Sequence, residues 1–328
     1  MNKILTVKIF VIVGTVFIAA MFCYWIFFSA PEKIGEPRQF TVQLNGASSI
    51  QVANALQTQG FIRSAWVENI ILNIKGLNKN IEPGGYELSK AMNAWEIAGV
   101  LSGKPDLVWV VIPEGLRKEE AANILAQKLG WSSAAENEWL TKDTVLPPEY
   151  FEGVYFPDTY LIPVNETPSQ VAERIQKHFN EKFAPYAKQA AQNNIKWTTA
   201  LTLASIIQRE AAGKDDMPLI SGILWNRLLK NMRLEVDSTL QYARGDAGKG
   251  WWAPISVADK KINSPFNTYL HAGLPPHPIS NPGLEAINAA INPVVTDCLY
   301  YIHDASKTIH CSVDYAGQLE NIKRNLTQ

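Results

Sequence analysis

The longest apolar run of the chain lies near its start. Ile9 to Phe28 is twenty residues without a charge, which is enough for a helix to cross a hydrocarbon core of about 30 Å. Lys3 and Lys8 precede this run and favour a cytoplasmic N-terminus. Bulky residues continue to Phe28, where a signal peptidase would need small side chains. The pattern predicts residues 1–8 in the cytoplasm, an uncleaved transmembrane helix over 9–28, and export of the remaining chain.

After a short stalk over 29–39, one pattern occurs twice at an offset of 69 residues. Residues 40–46 and 109–115 each begin with apolar residues and end in glycine, and each precedes a segment with apolar residues three or four apart. Each repeat predicts a strand, a tight turn and a helix. Residues 81–88 add a turn and a short strand between them. We therefore predict an α+β module with internal repeats over 40–150.

The remaining residues, 151–328, are predicted to form a mixed α+β domain. A loop rich in aromatic residues and proline, 152–163, opens this domain, and a hairpin with its turn near 304–307 closes it. Between them, apolar residues three or four apart predict helices over 168–193, 197–213, 217–229 and 282–290. The expected fold class of the whole protein is α+β.

The composition indicates a globular protein and makes some partners unexpected. With 328 residues, of which 47% are hydrophobic and 19% charged, the chain is long enough for two or three domains. Its net charge of −1 gives no reason to expect nucleic acid as a partner.

Three cysteines bear on the compartment and on metal binding. Cys23 lies inside the apolar run, whereas Cys298 and Cys311 flank the predicted hairpin. In an oxidising compartment the latter two can form a disulfide, if the register of the hairpin brings their Cα atoms within about 7 Å. His303 and His310 lie nearby, but the spacings typical of zinc ligands are absent, so we expect no metal site.

Glu210 is the most prominent candidate for chemistry. It lies near the end of the helical pattern over 197–213, beside an apolar stripe that includes Leu203 and Ile207, and Gly213 is expected to cap the helix. The negative end of a helix dipole and apolar neighbours both favour the protonated form of a carboxyl group, which a general acid requires. The alternative is a solvated glutamate at a helix end.

Four segments of the C-terminal half carry polar and aromatic residues that a soluble core does not need. In chain order they are 205–211, 226–242, 264–269 and 273–282. Their order and spacing resemble the endolytic murein transglycosylase family (MltG/YceG-like). The resemblance covers essentially everything after the apolar run, including 112–115 and 152–160.

This resemblance implies a single-pass enzyme of the inner (cytoplasmic) membrane, with a LysM-like module and a periplasmic catalytic domain over 151–328. Its implied partners are nascent peptidoglycan strands and, beside them, peptidoglycan synthases (penicillin-binding proteins). It implies no cofactor. The family's essential glutamate ends an Ala-Ser-Ile-aliphatic-x-basic-Glu helix, which corresponds to Glu210. Many relatives also have an acidic residue at the position of Gln208, so the resemblance implies that Glu210 is the acid that matters here.

A lytic transglycosylase needs only one carboxyl group. The acid protonates the oxygen of the β-1,4 bond between N-acetylmuramic acid and N-acetylglucosamine. The carboxylate then takes the proton of the muramic C6 hydroxyl, which closes a 1,6-anhydro ring. Hydrolytic glycosidases instead use two carboxyl groups. Asp237 is the only other acid in these segments with a claim to catalysis, and its alternative role is to cap the turn before Ser238.

Other residues of these segments are expected to bind the sugars. Their carboxyl, hydroxyl and amide groups suit sugar hydroxyls and N-acetyl groups, and they are Asp237, Thr239, Gln241, Tyr242, Asn267 and Tyr269. For each one alone, burial or the bracing of a loop explains the residue equally well. Trp251 and Trp252 suit either stacking on a sugar or packing as a lid. Arg227 and Arg233 suit either substrate carboxylates or pairing with Glu235 or Asp237.

Three other functions compete with the transglycosylase. A non-catalytic peptidoglycan-binding scaffold would need only the LysM-like module. A hydrolytic muramidase would differ only in whether water or the C6 hydroxyl attacks. A pyridoxal-phosphate lyase would need a Schiff-base lysine, a phosphate-binding motif and a cytosolic substrate, which an exported chain does not meet.

Overall fold

The computed structural model describes residues 2–144 and 152–326, except for the side chains of residues 2–7, 9, 11 and 23. It confirms an α+β protein. The chain forms two compact units, Met1–Val110 with Tyr160–Asn165, and Val111–Thr159 with Glu166–Gln328. The sequence pattern places a boundary at 150/151 instead. It does not reveal that residues after Thr159 return to the first unit, because this return depends on strand pairing between distant segments.

The first unit is built around a four-stranded sheet. Its helices are α1 (Asn2–Phe28), α2 (Ser49–Thr58), α3 (Ala65–Ile74) and α4 (Ala94–Val100), and its strands are β1 (Pro37–Val42), β2 (Gly84–Ser89), β3 (Leu107–Val111) and β4 (Thr159–Pro163). The strands lie in the order β1-β2-β3-β4, and β1 pairs antiparallel with β2 so that Phe40 faces Tyr86. Apolar residues of α2, α3 and α4 pack with this sheet into one core.

Among the described residues, no helix combines the length and the apolarity that a membrane crossing needs. The transmembrane helix over 9–28 stays a prediction.

The two predicted strand–turn–helix repeats are both present. Gly46 follows β1 and Gly115 follows β3, and both have a positive φ, 74° and 77°, which glycine adopts at little cost. Gly60 and Gly130 follow the two helices, again with positive φ. The second repeat is divided between the units, because its helix belongs to the second unit.

The second unit is largely helical. Its helices are α5 (Lys118–Leu129), α6 (Ser133–Glu138), α7 (Pro168–Gln192), α8 (Trp197–Glu210), α9 (Met217–Leu229), α10 (Asp237–Arg244), α11 (Leu284–Ile291) and α12 (Tyr315–Asn325), and its hairpin consists of β5 (Tyr300–His303) and β6 (Ile309–Ser312). The sequence predicted helices α7, α8, α9 and α11 and the hairpin, and the structure confirms all of them. Helix α8 packs against α7, α9 and α11, and its residues 200–207 are buried.

Three helices of this unit, α6, α10 and α12, were not expected. Helix α10 has eight residues and no side-chain cap at its start, so it gives only a weak periodic signal. Helix α12 follows the hairpin that was expected to close the chain, and Asp314 caps it by accepting a hydrogen bond from the Gly317 backbone N–H. Cys298 and Cys311 form a disulfide with their Cα atoms 5.9 Å apart, so the register of the hairpin does allow the bond.

Glu68 is a buried acid within the first unit. It lies in the first turn of α3 with 0% of its surface exposed, and neither carboxyl oxygen has a hydrogen-bond partner among the described residues. Burial raises the pKa of Glu68 to about 8 from 4.5. Folding therefore favours the protonated acid. The stability from this group is fully present below pH 4.5 and declines until the pH passes about 8.

We predict that Glu68→Gln makes the first unit more stable at pH 7, by roughly 3 kcal/mol, because the amide cannot ionise. The advantage should shrink as the pH falls towards 4.5. Hydrogen exchange of the α3 amides in the full chain measures this at each pH. Glu87→Gln changes the same charge at an exposed position of β2 and is the matched control. An equal effect of both substitutions, or a Glu68→Gln effect independent of pH, would contradict the prediction.

Candidate active site

Glu210 is the last residue of helix α8. The three aliphatic residues Leu203, Ile206 and Ile207 before it are fully buried, whereas Glu210 is partly buried. The helix ends because Ala211 takes an extended conformation, with φ −72° and ψ 137°. The expected cap at Gly213 is therefore wrong, and the helix stops two residues earlier. This leaves the Glu210 carboxyl at the exit of an apolar helix, next to a loop.

Two hydroxyl groups from distant segments bind the Glu210 carboxyl. Ser238 donates to Oε1 both from Oγ, at 2.6 Å, and from its backbone N–H, at 3.3 Å. Tyr301 donates from its hydroxyl to Oε2 at 2.9 Å. Each carboxyl oxygen thus has a partner, and the orientation of the group is defined from two sides.

These partners are chemically suited to both protonation states of Glu210. A hydroxyl group can donate a hydrogen bond to a carboxylate or rotate to accept one from a carboxylic acid. Only the Ser238 backbone N–H is restricted to donation. A carboxyl group that alternates between acid and base therefore keeps hydrogen-bond partners in each state.

A turn before α10 brings Ser238 to Glu210. Glu235 has a positive φ of 53°, and its backbone N–H donates to the Thr268 backbone oxygen at 3.2 Å. Thr268 also accepts from the Val236 backbone N–H through Oγ1, which lies 2.8 Å from Oγ1 of Thr239. Thr239 is fully buried and completes this bracing. The sequence had suggested that this hydroxyl binds a sugar, but it is buried and used in the bracing instead.

Asp237 is exposed and lies one residue before Ser238. It is the first residue of α10, whereas Val236 holds the cap position, so a capping role for Asp237 is wrong. Its Oδ1 accepts a hydrogen bond of 2.6 Å from the Tyr269 hydroxyl. The pKa of Tyr269 is raised above its usual range, chiefly by burial and then by the adjacent Asp237. Tyr269 therefore remains a neutral donor to this carboxylate.

The two amide side chains proposed as sugar ligands hold loops together. Asn267 is fully buried and donates to the backbone oxygens of Lys260 and Ile262, at 3.1 and 2.9 Å. Gln241 donates to the backbone oxygen of Trp252 at 2.9 Å. In both cases bracing accounts for the amide. Within the predicted set, Asp237 is exposed and adjoins Ser238 in sequence, and the partly buried Tyr269 donates a hydrogen bond to Asp237.

Trp251, Trp252 and Tyr242 form cation–π contacts with two arginines. The guanidinium of Arg117 lies 4.0 Å from the ring centre of Tyr242 and 4.4 Å from that of Trp251. Arg209 lies 3.8 Å from the ring centre of Trp252. The Trp252 indole N–H also donates to Glu120 at 2.9 Å. These contacts favour packing as the role of the tryptophans.

Arg227 has a structural role. It is buried, donates to the backbone oxygen of Leu234 at 2.7 Å, and pairs with Glu235 at 2.9 Å. This pairing confirms the structural alternative for Arg227. Arg233 is exposed, and its role as a ligand for substrate carboxylates stays a prediction.

A buried polar network joins two of the segments that carry the family resemblance, 152–160 and 273–282, to the residues that follow 112–115. Asn281 accepts a hydrogen bond from the Tyr155 backbone N–H and donates to the Leu116 backbone oxygen and to Glu152. Glu152 also accepts from the Lys118 backbone N–H at 2.9 Å. Burial raises the pKa of Glu152 to about 8, and the negative charge of Glu119 adds to this shift. The network thus holds a largely protonated acid at neutral pH and fixes the loops around α8.

Gln208 lies two residues before Glu210 in α8, at the position where the resemblance led us to compare it with an acidic residue. Its Oε1 accepts a hydrogen bond of 3.0 Å from the Gly283 backbone N–H, a contact that any side-chain oxygen can make. Its amide also hydrogen-bonds to Glu114, whose pKa is raised by burial and by Glu285. An amide suits this position because it adds no negative charge beside those two acids.

Sequence reasoning missed the two residues that bind Glu210. Ser238 was noted only as part of the turn after Asp237, and Tyr301 only as part of the hairpin. They lie 28 and 91 residues after Glu210. No local spacing predicts contacts over such distances, although both residues lie in or next to segments already singled out.

Comparison with known proteins gives a consistent picture. A family model described as the YceG-like family matches residues 41–324. The chain is 26% identical to the endolytic murein transglycosylase of Streptococcus pneumoniae serotype 2 (strain D39), over 98% of this chain but only 65% of that protein. It is 28% identical to the endolytic murein transglycosylase of Bacillus subtilis (strain 168), over 83% of this chain and 81% of that protein.

A solved structure is also similar. The crystal structure of a yceG-like protein from Listeria monocytogenes matches with a TM-score of 0.59 and 25% identity, and the match covers 88% of this chain and 99% of that one. The streptococcal relative is longer than this chain, which spans about two thirds of its length.

Proposed function

The chain belongs to the YceG-like family, and we propose on this basis that it is an endolytic peptidoglycan lytic transglycosylase with Glu210 as its catalytic acid and base. The observation that carries the proposal is the Glu210 carboxyl, whose two oxygens are held by the hydroxyl groups of Ser238 and Tyr301. The names of the streptococcal and Bacillus relatives support the same reaction.

The proposed reaction uses one carboxyl group twice. Protonated Glu210 donates its proton to the glycosidic oxygen, and N-acetylglucosamine leaves with a free 4-hydroxyl. The carboxylate then accepts the proton of the muramic C6 hydroxyl while O6 bonds to C1. Glu210 ends protonated, as it began, and the new chain end carries a 1,6-anhydro ring. Because the partners of Glu210 are hydroxyl groups, they can follow this change of charge.

The main alternative is a hydrolytic muramidase, because Asp237 is an exposed carboxyl next to Ser238. Hydrolysis by a pair of carboxyl groups requires a separation of roughly 5–9.5 Å and a second carboxylate available to water or substrate. The contact between Asp237 and the Tyr269 hydroxyl favours a supporting role instead. Asp237 and Tyr269 together are proposed to contact the substrate.

We further propose that the protein is anchored in the inner membrane by residues 9–28, with residues 1–8 in the cytoplasm. The uncharged sequence and the exposed apolar side chains of α1, such as Phe10, Val16 and Phe17, support an anchor. The disulfide Cys298–Cys311 supports an oxidising compartment for the catalytic domain. A LysM-like role in glycan binding for the first unit, and peptidoglycan synthases as partners, complete the proposal.

Glu210→Gln is predicted to keep the fold and to lower strand cleavage by about 10²–10⁴, because the amide is nearly isosteric but cannot donate an acid proton. Release of soluble fragments from isolated sacculi by the full chain in detergent measures the activity. Asp237→Asn is the matched amide substitution and should be milder. Residual activity of Glu210→Gln within about tenfold of wild type, or a stronger effect of Asp237→Asn, would move the acid role elsewhere.

The products should end in 1,6-anhydro-N-acetylmuramic acid, because the C6 hydroxyl and not water attacks C1. Mass analysis of the fragments should show ends lighter by one water than reducing ends, and borohydride should not change them. Cleavage within strands should leave long fragments on both sides. Reducible ends would identify a muramidase, whereas release of disaccharides from chain ends would contradict only the endolytic part.

A reporter enzyme fused after Gln328 should report an extracytoplasmic position, because Lys3 and Lys8 precede the uncharged run. Paired fusions to alkaline phosphatase, active outside the cytoplasm, and to a reporter active inside it give the readout. Fusion of the same reporters after Lys8 provides the cytoplasmic control. A cytoplasmic C-terminus would exclude peptidoglycan as the substrate.

A further inference from the structure

Tyr301 contacts Glu210 but lies in neither the α8 helix nor the predicted sugar-binding set. We propose that Tyr301 is a positioning residue for the Glu210 carboxyl and that the Cys298–Cys311 disulfide holds it in place, so that activity requires the oxidised form. The experiments below that measure activity rest on the proposed transglycosylase function. The contact itself, a 2.9 Å hydrogen bond from the Tyr301 hydroxyl to Oε2, does not depend on which reaction is catalysed.

The disulfide lies next to Tyr301 in the hairpin. In the register of β5 and β6, Tyr301 is paired with Cys311, while Cys298 lies two residues before β5. The Leu299 backbone N–H donates to the Ser312 backbone oxygen at 2.8 Å and continues the ladder beyond Tyr300. The disulfide therefore crosslinks the open end of the hairpin, opposite its turn, within a few residues of the Tyr301 backbone.

Strand pairing alone contributes little to the stability of this hairpin. Each strand has four residues, and an isolated two-stranded hairpin is at best marginally stable in water. Gln318 donates to the Tyr301 backbone oxygen at 3.1 Å, and Asn226 donates to the Cys298 backbone oxygen at 3.1 Å. Helix α12 also packs on both strands, and its Asn321 donates to the Cys311 backbone oxygen at 3.3 Å. These contacts locate the hairpin, but none of them links its two strands covalently. Reduction would leave Tyr301 dependent on them.

Several charged and titratable groups act on the same contact. Arg209 of α8 interacts with Glu210, and Asp237 of α10 and Arg227 of α9 interact with Tyr301. Tyr269 interacts with Glu210, and the His303 ring, which contacts Asp216, packs edge-on against the Tyr301 ring. Burial, followed by the charge of Glu210, raises the pKa of Tyr301 well above its usual range. The hydroxyl of Tyr301 is therefore neutral throughout the working pH range and can donate to the Glu210 carboxylate.

Loss of this donor would act on the second half of the reaction cycle. The carboxylate formed after the first proton transfer has Tyr301 as its only described partner at Oε2. Without the hydroxyl, the ionised form is less stable and Glu210 retains its proton to higher pH. The alkaline limb of the pH–rate profile, which reports loss of the acid proton, should then move to higher pH.

The first experiment compares Tyr301→Phe with Tyr300→Phe in the full chain, in detergent. Both remove one hydroxyl from β5, but the Tyr300 ring faces Arg227 and Tyr315 rather than Glu210. For Tyr301→Phe we expect kcat to fall roughly tenfold to hundredfold with KM little changed, and the alkaline limb to move to higher pH. Tyr300→Phe should match wild type. An unchanged kcat and pH profile for Tyr301→Phe would overturn the inference.

The second experiment opens the disulfide. A dithiol such as dithiothreitol supplies two electrons and two protons, which convert the S–S bond into two thiols as the dithiol is oxidised to its own disulfide. We expect kcat to fall in wild type and in the same direction in the Cys298→Ser/Cys311→Ser double variant. In Tyr301→Phe the reductant should have no further effect. An equal loss in both backgrounds would show that the disulfide does not act through Tyr301.

A third readout separates this inference from the proposed function. In chains labelled with ¹³Cδ-glutamate, the Glu210 signal is identified by its absence from Glu210→Gln. Its titration midpoint should lie at higher pH in Tyr301→Phe than in wild type. If that shift occurs but no anhydro ends form, the positioning role stands and the proposed reaction fails. If anhydro ends form and the midpoint is unchanged, the reaction stands and the positioning role fails.

Discussion

The candidate site of the second unit depends on one constraint, which is that the Glu210 carboxyl must be held in a defined orientation at the end of an apolar helix. Helix α8 is buried by its neighbours along residues 200–207, and its last residue, Glu210, is partly buried. Ser238 and Tyr301 supply the hydrogen bonds that water would otherwise make. Because they come from α10 and from β5, the helix, the turn before α10 and the hairpin must all be in place for Glu210 to be oriented.

Some polar residues of the segments that resemble the family hold the scaffold together. Ser205, in the helix of Glu210, accepts a hydrogen bond from the Ile279 backbone N–H and so joins α8 to the segment 273–282. Asn281 continues from there to Glu152 and Leu116. Such buried polar groups are costly unless every one is paired.

The sequence predicted the elements that local spacing determines. Helices α7, α8 and α9 have apolar residues three or four apart over at least thirteen residues, and the repeat glycines Gly46 and Gly115 mark turns that need a positive φ. Glu210 was identified for the same reason, since its position relative to the apolar stripe is local. Helix α10 was missed because it is too short to show a clear periodic pattern of apolar residues. The return of β4 to the first unit was missed because it depends on pairing between distant strands.

The site was less predictable than the fold, because its geometry is made by distant contacts. Thr239 and Asn267 have the hydroxyl and amide groups expected of sugar ligands, but both are fully buried in loop bracing. Conversely, a serine after an aspartate and a tyrosine in a hairpin give no chemical signal until they meet at Glu210. The helix pattern and the family resemblance pointed to Glu210 as the candidate acid, and only the tertiary structure identified its hydrogen-bond partners.

The choice of hydroxyl partners has a mechanistic consequence that an arginine or lysine partner would not give. A cation beside Glu210 would stabilise the carboxylate so strongly that the acid could not begin the reaction protonated. Arg209 precedes Glu210 in the chain and interacts with its charge, but its guanidinium stacks on the Trp252 ring and donates to the Gly115 backbone oxygen. The hydrogen bonds to the Glu210 carboxyl come from Ser238 and Tyr301 instead. Because hydroxyl partners are neutral and can both donate and accept, Glu210 can lose its proton and regain it while keeping its hydrogen bonds. One carboxyl can then serve as acid and base in a single cycle, which is the requirement that distinguishes a transglycosylase from a two-carboxyl hydrolase.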